Sequence, residues 1–515
     1  MNESPPKTAI SRLAPVFFAG ALVAYLVVLA LQGRLFHLDE VFYKCAGAHW
    51  AFGGLFAAPE LVGRLPFDPP IDRVFACYPP LYPFLFGLFC RAFGFGYTQI
   101  VLFDGLLRVA LCVTTAYVVT CLRPGTGWSW PSVIAGLLVL PLGWIGRPDD
   151  LGVIFGMLAC TRLFPRSSHA CHWQAGLLLG LSAATSPAAA ATLAAVATGL
   201  VSGESTLSIR QRSMAILTMA LVSASVLLAA FLPLLNIDAA AWRQILIHGE
   251  ANLSGGKIWE AWVINFWFGR FFIAATAGAV LTPLLLLPAV RRAALQPLWS
   301  RWFLAPLFAF LLFAFLTAGK FSNVWFAGPW LIAASVAMLS QLWRGGTARW
   351  RLAVPALVLL GGCAYGAQFW LKERLAVASL PAEQHYDAAA RRLLEVVPPG
   401  ATVLTSEHWV TFLGRNPVIE VNFSVLNESW TKADYIVVTG NGSGTPGSPL
   451  WILPEIGAYA ARNFVLIDDQ LPRDPLRLAG FRMTKSAFGW GAAVYRRKTA
   501  DEKRPSPPEV IPLTK

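Results

Sequence analysis

The sequence of 515 residues has few charges and long stretches with none. Only 13% of its residues are Asp, Glu, Lys or Arg, whereas a soluble domain carries about 25%. No charged residue occurs from Pro124 to Gly146, from Ser213 to Ile237 or from Phe321 to Trp343. Because about 20 apolar residues cross the hydrocarbon of a bilayer, these stretches predict transmembrane helices and exclude a soluble globular protein.

The sequence also lacks the motifs of several functional classes. Its 8 cysteines form no CxxC pair and no Cys/His spacing typical of a zinc site, and its 43 glycines include no GxxxxGK. An ATP site of the P-loop type therefore has no support. The net charge of +13 comes largely from basic residues in connections between apolar runs, which indicates membrane topology and not nucleic acid as a partner.

Eleven apolar runs are predicted to span the membrane. The uncharged run 167–203 is too long for one helix, and we divide it at Ser186 and Pro187 because proline favours the first turn of a helix. The predicted spans are 13–33, 98–122, 130–146, 150–165, 173–187, 188–203, 213–235, 271–290, 302–318, 322–342 and 352–371.

The charges between these spans predict the orientation. With the N-terminus inside, the inner connections before residue 372 hold 13 basic and 2 acidic residues, and the outer ones hold 10 of each. Inner loops keep Lys and Arg, so this division predicts a multi-pass protein of the cytoplasmic (inner) membrane with its N-terminus inside. Two long outer loops, 34–97 and 236–270, are each predicted to contain a helix lying at the membrane interface.

The composition changes after residue 371. Residues 382–397 are predicted to form an amphipathic helix, and strands are predicted in ATVLTSE, NPVIEV, DYIVVTG and AAVYRR. We therefore divide the chain into a transmembrane catalytic domain (1–371), a small extracytoplasmic α/β domain (372–498) and a disordered tail (499–515).

Two acidic pairs lie at the outer ends of neighbouring predicted spans. Asp39 and Glu40 follow the first span in the motif HLDEVFY, and Asp149 and Asp150 follow Arg147-Pro148. Adjacent carboxylates at a membrane surface cost desolvation energy unless water, a cation or a substrate compensates them. They can serve as a general base or bind a divalent cation. Capping of helix N-termini is the alternative that the residues leave open.

The order of these features resembles the membrane-embedded GT-C glycosyltransferases, in particular the bacterial ArnT-like and protein-mannosyltransferase-like enzymes. The resemblance rests on LDExxY after a span, on YPPLYP followed by an apolar helix, and on the RPDD turn. It covers about residues 10–345 and is most specific in the first 165. It implies an enzyme that passes a sugar from a polyprenyl-phosphate donor to an acceptor on the outer face.

The resemblance also implies roles for individual residues. Asp39 matches the catalytic acidic position of the first loop and Glu40 its neighbour, while Asp149 or Asp150 matches the second acidic position. Many protein-mannosylating members have His-Pro-Pro where this chain has Tyr78-Pro-Pro. A lipid or glycan acceptor is therefore expected in preference to protein Ser/Thr.

Transfer of the sugar needs a base for the acceptor hydroxyl, for which we predict Asp39, and positive charge for the departing lipid phosphate. Arg270 and Lys320 lie at the outer edges of predicted spans, where a lipid phosphate lies; snorkelling is the alternative for each. The predicted substrate-binding residues are Tyr43, Lys44, Tyr78, Arg147, Arg270 and Lys320. No cofactor is predicted with certainty, but Asp39, Glu40 and Asp149 are the candidate ligands of a divalent metal ion.

Two other classes remain open. A transporter or flippase of lipid-linked saccharides would share the many spans, although transporters usually show duplicated halves and buried midplane charges. Apart from Asp104 and Arg108, this chain keeps its charges at the ends of the predicted spans. A structural subunit would leave the two acidic pairs unexplained.

Overall fold

The computed structural model describes most of the chain between residues 9 and 499. The described ranges are 9–34, 40–61, 71–123, 128–143, 145–164, 169–246, 258–316, 321–405, 408–420, 429–439, 454–471, 475–478, 481–487 and 489–499.

Long helices make up the chain as far as residue 378. In order they are α1 (Ala9–Gln32), α2 (Glu40–Ala51), α3 (Leu81–Phe93), α4 (Tyr97–Leu122), α5 (Trp130–Val139), α6 (Asp149–Arg162), α7 (His169–Ala183), α8 (Pro187–Ser202), α9 (Ile209–Ile237), α10 (Ile258–Arg292), α11 (Ala305–Leu316), α12 (Phe321–Arg344) and α13 (Arg349–Ala378). Short helical segments occur at Pro59–Leu61, Gln296–Trp299 and Ser300–Leu304.

Six of these helices are long and apolar enough to cross a membrane, which makes the chain a multi-pass membrane protein by length and composition. They contain Leu13–Gln32, Tyr97–Leu122, Ile209–Ile237, Ala274–Arg292, Phe326–Arg344 and Arg349–Gln368. Every one of the eleven predicted spans coincides with a helix, but the remaining five helices are shorter. The count of eleven crossings therefore stays a prediction.

The predicted division of the run 167–203 is confirmed. Helix α7 ends at Ala183 and α8 begins at Pro187. The hydroxyl of Ser186 accepts a hydrogen bond from the backbone N–H of Ala189 and so caps α8. Proline occupies the first position of α8, where its missing N–H costs no helical hydrogen bond.

The helices found in the two predicted outer loops agree with the sequence-based expectation to different degrees. Helix α3 begins within YPPLYP, at Leu81, and continues through the apolar segment where an interfacial helix is predicted. In the second loop residues 241–246 are helical, and the later tryptophans lie in α10, which runs without interruption from Ile258 to Arg292. No proline precedes Pro283 in this helix to break it.

The last part of the chain combines helices with a sheet. Its helices are α14 (Tyr386–Val396) and α15 (Pro454–Asn463), with short turns at Ala382–Gln384, Trp409–Phe412 and Ser429–Lys432. Its strands are β1 (Val403–Thr405), β2 (Val418–Glu420), β3 (Tyr435–Thr439), β4 (Phe464–Asp469), β5 (Pro475–Leu478), β6 (Phe481–Ala487) and β7 (Ala492–Arg497).

The main sheet has five strands in the order β2-β1-β3-β7-β4. Strand β1 pairs in parallel with β2 and β3, while β7 is antiparallel to both β3 and β4. Strands β5 and β6 form a separate antiparallel pair. All four predicted strand segments and the predicted amphipathic helix have their counterparts here.

The sheet region packs through aromatic rings on the segment between α1 and α4, the first predicted outer loop. The ring of Tyr386 stacks on that of Tyr97 with centroids 3.9 Å apart, and Trp409 contacts Phe95 at 6.0 Å. One buried apolar core includes residues of α2, α3, α14 and β7. The end of the chain is therefore held beside the loop that carries the first acidic pair.

Candidate functional site

Four charged side chains form a fully buried cluster at the start of the loop after α1, which is predicted to be an outer loop. Arg34 follows α1, Glu40 and Lys44 lie one turn apart on α2, and Asp104 lies in α4. Arg34 pairs with Glu40 at 2.5 Å and also with Asp104, and Lys44 pairs with Glu40 at 2.7 Å and with Asp104 at 3.0 Å. Two cations and two carboxylates therefore balance one another away from water, as buried charges require.

The charge balance of this buried cluster is reflected in the pKa values of Glu40 and Arg34. Burial alone would raise the pKa of the Glu40 carboxyl, but Arg34 and Lys44 outweigh it, and the pKa lies below its usual value. Burial would likewise lower the pKa of Arg34, and its two carboxylate partners raise it well above the ordinary value. Both groups are thus held in their charged forms.

This cluster joins the two acidic segments of the sequence. Lys44 Nζ donates to the carbonyl oxygen of Gly146 at 2.9 Å, immediately before Arg147. Gly146 has φ +96°, and a side chain there would collide with Arg34 and Glu40. The turn before the second acidic pair is consequently packed directly against α2.

The second acidic pair is held by side chains and not by helix amides. Asp149 accepts hydrogen bonds from Arg147 Nε at 2.9 Å and from Ser186 Oγ at 2.8 Å. Asp150 accepts from the guanidinium of Arg108, at 2.8 and 3.1 Å. In this structure the carboxylate oxygens of both residues bind side chains, so capping of α6 does not account for them.

Two tyrosines stand beside the Arg147–Asp149 pair. The rings of Tyr43 and Tyr78 meet edge to face with centroids 4.8 Å apart, and the Arg147 guanidinium lies 5.6 Å from the Tyr43 ring. The side chain of Arg147 is 18% exposed and that of Asp149 is 11% exposed, whereas Glu40 and Lys44 are fully buried. A carboxylate, a cation and two aromatic rings therefore meet at a place that is still open to solvent.

The tyrosine hydroxyl of Tyr78 belongs to the same site. Burial, with the neighbouring Tyr43 and Asp149, raises its pKa well above the ordinary value, so Tyr78 stays neutral. A neutral phenol retains its O–H and can act as a hydrogen-bond donor.

The structure thus brings together Glu40, Tyr43, Lys44, Tyr78, Arg147, Asp149 and Asp150. Lys44, predicted to bind substrate, is fully enclosed by Glu40, Asp104 and Gly146. Asp39 and Lys320 lie outside the described residues, as does the side chain of Arg270 on α10. No His, Cys, Asp and Glu side chains form a group of three or more suited to a metal ion within the described ranges.

Three contributors to the site escaped sequence reasoning. Arg34 and Asp104 complete the buried charge cluster, and Ser186 holds Asp149. Asp104 carried a signal, because a carboxylate within an apolar helix demands a cation nearby. Ser186 carried no sequence signal for a role in this site, because its position before Pro187 indicates only a helix cap.

The helices before residue 379, among them α2 and α3, and the final sheet together form a fold that is also found in a solved structure. The chain matches the crystal structure of ArnT from Cupriavidus metallidurans bound to undecaprenyl phosphate, with a TM-score of 0.53 and 13% sequence identity. The match covers 96% of this chain and 99% of that one. The predicted resemblance is therefore confirmed at the level of the fold.

Two further solved structures match with lower scores. The oligosaccharyltransferase of Archaeoglobus fulgidus has a TM-score of 0.46 at 13% identity, over 81% of this chain and 67% of that one. The arabinofuranosyltransferase AftD from Mycobacteria has a TM-score of 0.45 at 14% identity, over 95% of this chain and 40% of that one. No protein-family model matches the sequence. No curated protein matches it either.

Proposed function

We propose that this chain is a membrane glycosyltransferase that moves a sugar from a polyprenyl-phosphate donor to a lipid or glycan acceptor on the outer face of the cytoplasmic membrane. The observation that carries the proposal is the partly open site of Arg147, Asp149, Tyr43 and Tyr78 within a GT-C fold. The ArnT structure of the same fold holds undecaprenyl phosphate, which supports a donor of this lipid class here.

The chemistry assigns a role to each group. Asp39 takes the proton of the acceptor hydroxyl, the acceptor oxygen bonds to the anomeric carbon, and the bond from that carbon to the phosphate oxygen breaks. The polyprenyl phosphate leaves with the electron pair, so a cation must meet the charge that develops on it. Arg147 is the cation of the described site that retains exposure, and Arg270 and Lys320 are further candidates.

The fully buried charges serve a different purpose in this proposal. Arg34, Glu40, Lys44 and Asp104 hold the start of α2 against the turn at Gly146. Asp39 directly precedes Glu40 in the chain. Fixing Glu40 on one side and Asp149 on the other keeps the two acidic segments beside each other, which is how a preorganised site lowers the barrier.

The aromatic rings suit a sugar ligand. The apolar faces of a sugar ring pack on aromatic side chains, while its hydroxyls need a few fixed polar partners. Tyr43 and Tyr78 offer the aromatic rings. Asp149, oriented by Ser186, offers a fixed polar partner for a sugar hydroxyl. This arrangement favours a bound sugar over a purely lipidic ligand.

The test compares lipid and glycan products, by mass spectrometry, from membranes with the wild-type chain, with Asp39→Asn and with Asp149→Asn. Loss of a general base lowers a rate by about 10²–10⁴, so Asp39→Asn should abolish product formation at normal protein levels. Asp238→Asn is the matched control, because Asp238 only accepts the backbone N–H of Ala240 at 2.8 Å.

Two results would contradict the proposal. Wild-type turnover by Asp39→Asn would remove the general base assignment. A donor that crosses the membrane with its sugar–phosphate bond intact, with no transferred product, would favour the flippase alternative.

A further inference from the structure

The turn between α12 and α13 presents tryptophan and arginine side chains to the surroundings. Two helices suited to crossing the membrane end and begin there, Phe326–Arg344 and Arg349–Gln368. Trp343 is 53% exposed and Trp350 is 70% exposed. Because the turn joins two candidate spans, it lies at the depth of the lipid headgroups, where tryptophan is enriched.

The basic groups of this turn have no acidic counterpart. Within the described parts of the chain, Arg344, Arg349 and Arg351 form no ion pair with a carboxylate. The sequence itself contains no Asp or Glu between Glu260 and Glu373. The positive charge of the turn is therefore left for a ligand or for solvent to balance.

Two of the arginines are ordered by aromatic rings. The guanidinium carbon of Arg349 lies 5.0 Å from the Trp343 ring centroid, and that of Arg351 lies 4.9 Å from the Trp350 ring centroid. A guanidinium that stacks on a ring through its face keeps its N–H groups available at its edge. These N–H groups match the oxygens of a phosphate.

A buried arginine adds to the same charge. Arg123, at the end of α4, is only 2% exposed and donates to Ser129 Oγ at 3.1 Å. Its pKa falls to about 10, because of burial and then of the nearby positive charge of Arg344. Arg123 and Arg344 therefore place two positive charges close together at this end of the helices.

The geometry leaves room for an anion. A side chain placed at Gly346, which has φ +76°, would meet nothing within 4 Å. Helix α13 begins at Arg349 with no side-chain cap on its first amides, and the N-terminus of a helix favours negative charge.

We propose that the turn formed by Arg344, Gly346, Arg349 and Trp350, with Arg123 behind it, binds the phosphate of an anionic phospholipid. The occupant is a lipid because the site lies where two candidate spans meet the headgroup region and because exposed tryptophans flank it. The site lies at the opposite ends of the spans from the predicted donor site, and the inference does not depend on the proposed glycosyltransferase activity.

Binding is tested on the full-length protein in detergent. Native mass spectrometry would count phosphatidylglycerol and phosphatidylcholine bound to the wild-type chain and to Arg344→Gln/Arg349→Gln. The matched control is Arg291→Gln/Arg292→Gln, which removes two exposed arginines from the end of another candidate span. Arg349→Gln alone, at an exposed side chain, provides a second variant if the double variant does not fold.

We expect the wild-type chain and the control to retain phosphatidylglycerol in preference to phosphatidylcholine. The Arg344/Arg349 variant should bind phosphatidylglycerol about tenfold or more weakly, as expected when two arginines near an anionic surface are removed. Equal losses in both double variants would show general surface attraction and overturn the site. Equal retention of the two lipids would overturn the site, because an anion site must prefer the anionic headgroup. Full displacement of phosphatidylglycerol by about 10-fold molar inorganic phosphate would also overturn it, because the occupant would then be free phosphate and not a lipid.

Discussion

Asp104 illustrates how one carboxylate within an apolar helix governs its surroundings. It accepts hydrogen bonds from Lys44 Nζ at 3.0 Å and from the Tyr82 hydroxyl at 3.1 Å, and it also pairs with Arg34. Its charge makes the buried cluster neutral. Breaking a buried pair by removing one partner is costly because it leaves an uncompensated charge.

Asp104→Asn is therefore expected to destabilise the protein by about 3 kcal/mol or more, since the amide keeps the shape but leaves two cations with one carboxylate. The measurement is the thermal unfolding midpoint in detergent, with the yield of folded protein as a second readout. Asp238→Asn is the control and should cost about 1 kcal/mol or less. Equal effects of the two substitutions would show that the cluster does not depend on charge balance.

His408 is a buried neutral group in the sheet region. Its Nε2–H donates to the Trp490 carbonyl oxygen at 2.9 Å, and its Nδ1 lies 3.2 Å from the Thr411 hydroxyl. Burial lowers the pKa of His408 to about 4, partly offset by the bond to Trp490. In the unfolded chain the imidazole keeps a pKa of about 6.5.

Stability should consequently depend on pH between about 6.5 and 4. Above pH 6.5 the imidazole is neutral in both states, and as the pH falls the unfolded chain takes up the proton first, so the folded state loses up to about 3 kcal/mol. We expect the thermal unfolding midpoint of the wild-type chain to fall across this range more steeply than that of His408→Gln. Parallel curves for the two proteins would exclude His408 as the source.

At the scale of elements, α2 and α3 approach each other through two glycines. A Cβ atom at Gly87 would lie 2.6 Å from the carbonyl oxygen of Gly47, and one at Gly47 would collide with the backbone of Pro83. These neighbours are backbone atoms and cannot rotate away. The close approach places Tyr82, on α3, beside Asp104.

Gly47→Ala should separate α2 from α3 and destabilise the protein by about 1–3 kcal/mol, the usual cost of overpacking. Gly20→Ala is the matched control, because a Cβ atom at Gly20 meets nothing within 4 Å. This control should be neutral or slightly stabilising, since alanine is the better helix former. The readout is again the unfolding midpoint, and similar values for the two variants would contradict the predicted close packing.

At the scale of the whole molecule, the sheet region and the first predicted outer loop form one packed unit. Tyr97 connects them, because its ring stacks on Tyr386 and its hydroxyl donates to the Arg34 carbonyl oxygen at 2.7 Å. If the acidic pairs lie outside, the region from residue 372 onward must lie on the same side of the membrane.

The orientation can be tested with introduced cysteines. Glu395→Cys, on an exposed position of α14, should react with a membrane-impermeant thiol reagent added to intact cells. Arg292→Cys, at the end of α10, should react only after the membrane is opened. The expectation rests on the division of basic residues between inner and outer loops. The opposite labelling pattern would reverse the predicted topology.

The sequence by itself determined the class of the molecule and most of its elements. Uncharged runs must be helical to satisfy their backbone groups in lipid, so their length and their flanking arginines were sufficient to predict the helices. Ser186 with Pro187 marked the division between α7 and α8, and short strand-like runs marked β3 and β7. These signals are local in sequence, so they predict the helices and strands without knowledge of the tertiary fold.

Only the tertiary structure decided which charges meet. Arg34 and Asp104 are 70 positions apart in the chain, and Ser186 and Asp149 are 37 apart, so no spacing could have paired them. The sequence left capping and catalysis open for Asp149, and its bonds to Arg147 and Ser186 set it apart from a helix cap. It likewise offered Lys44 to a substrate, whereas the packing of α2 against α4 encloses that ammonium among buried carboxylates. Partner choice depends on distances between elements, and those distances arise only when the helices pack.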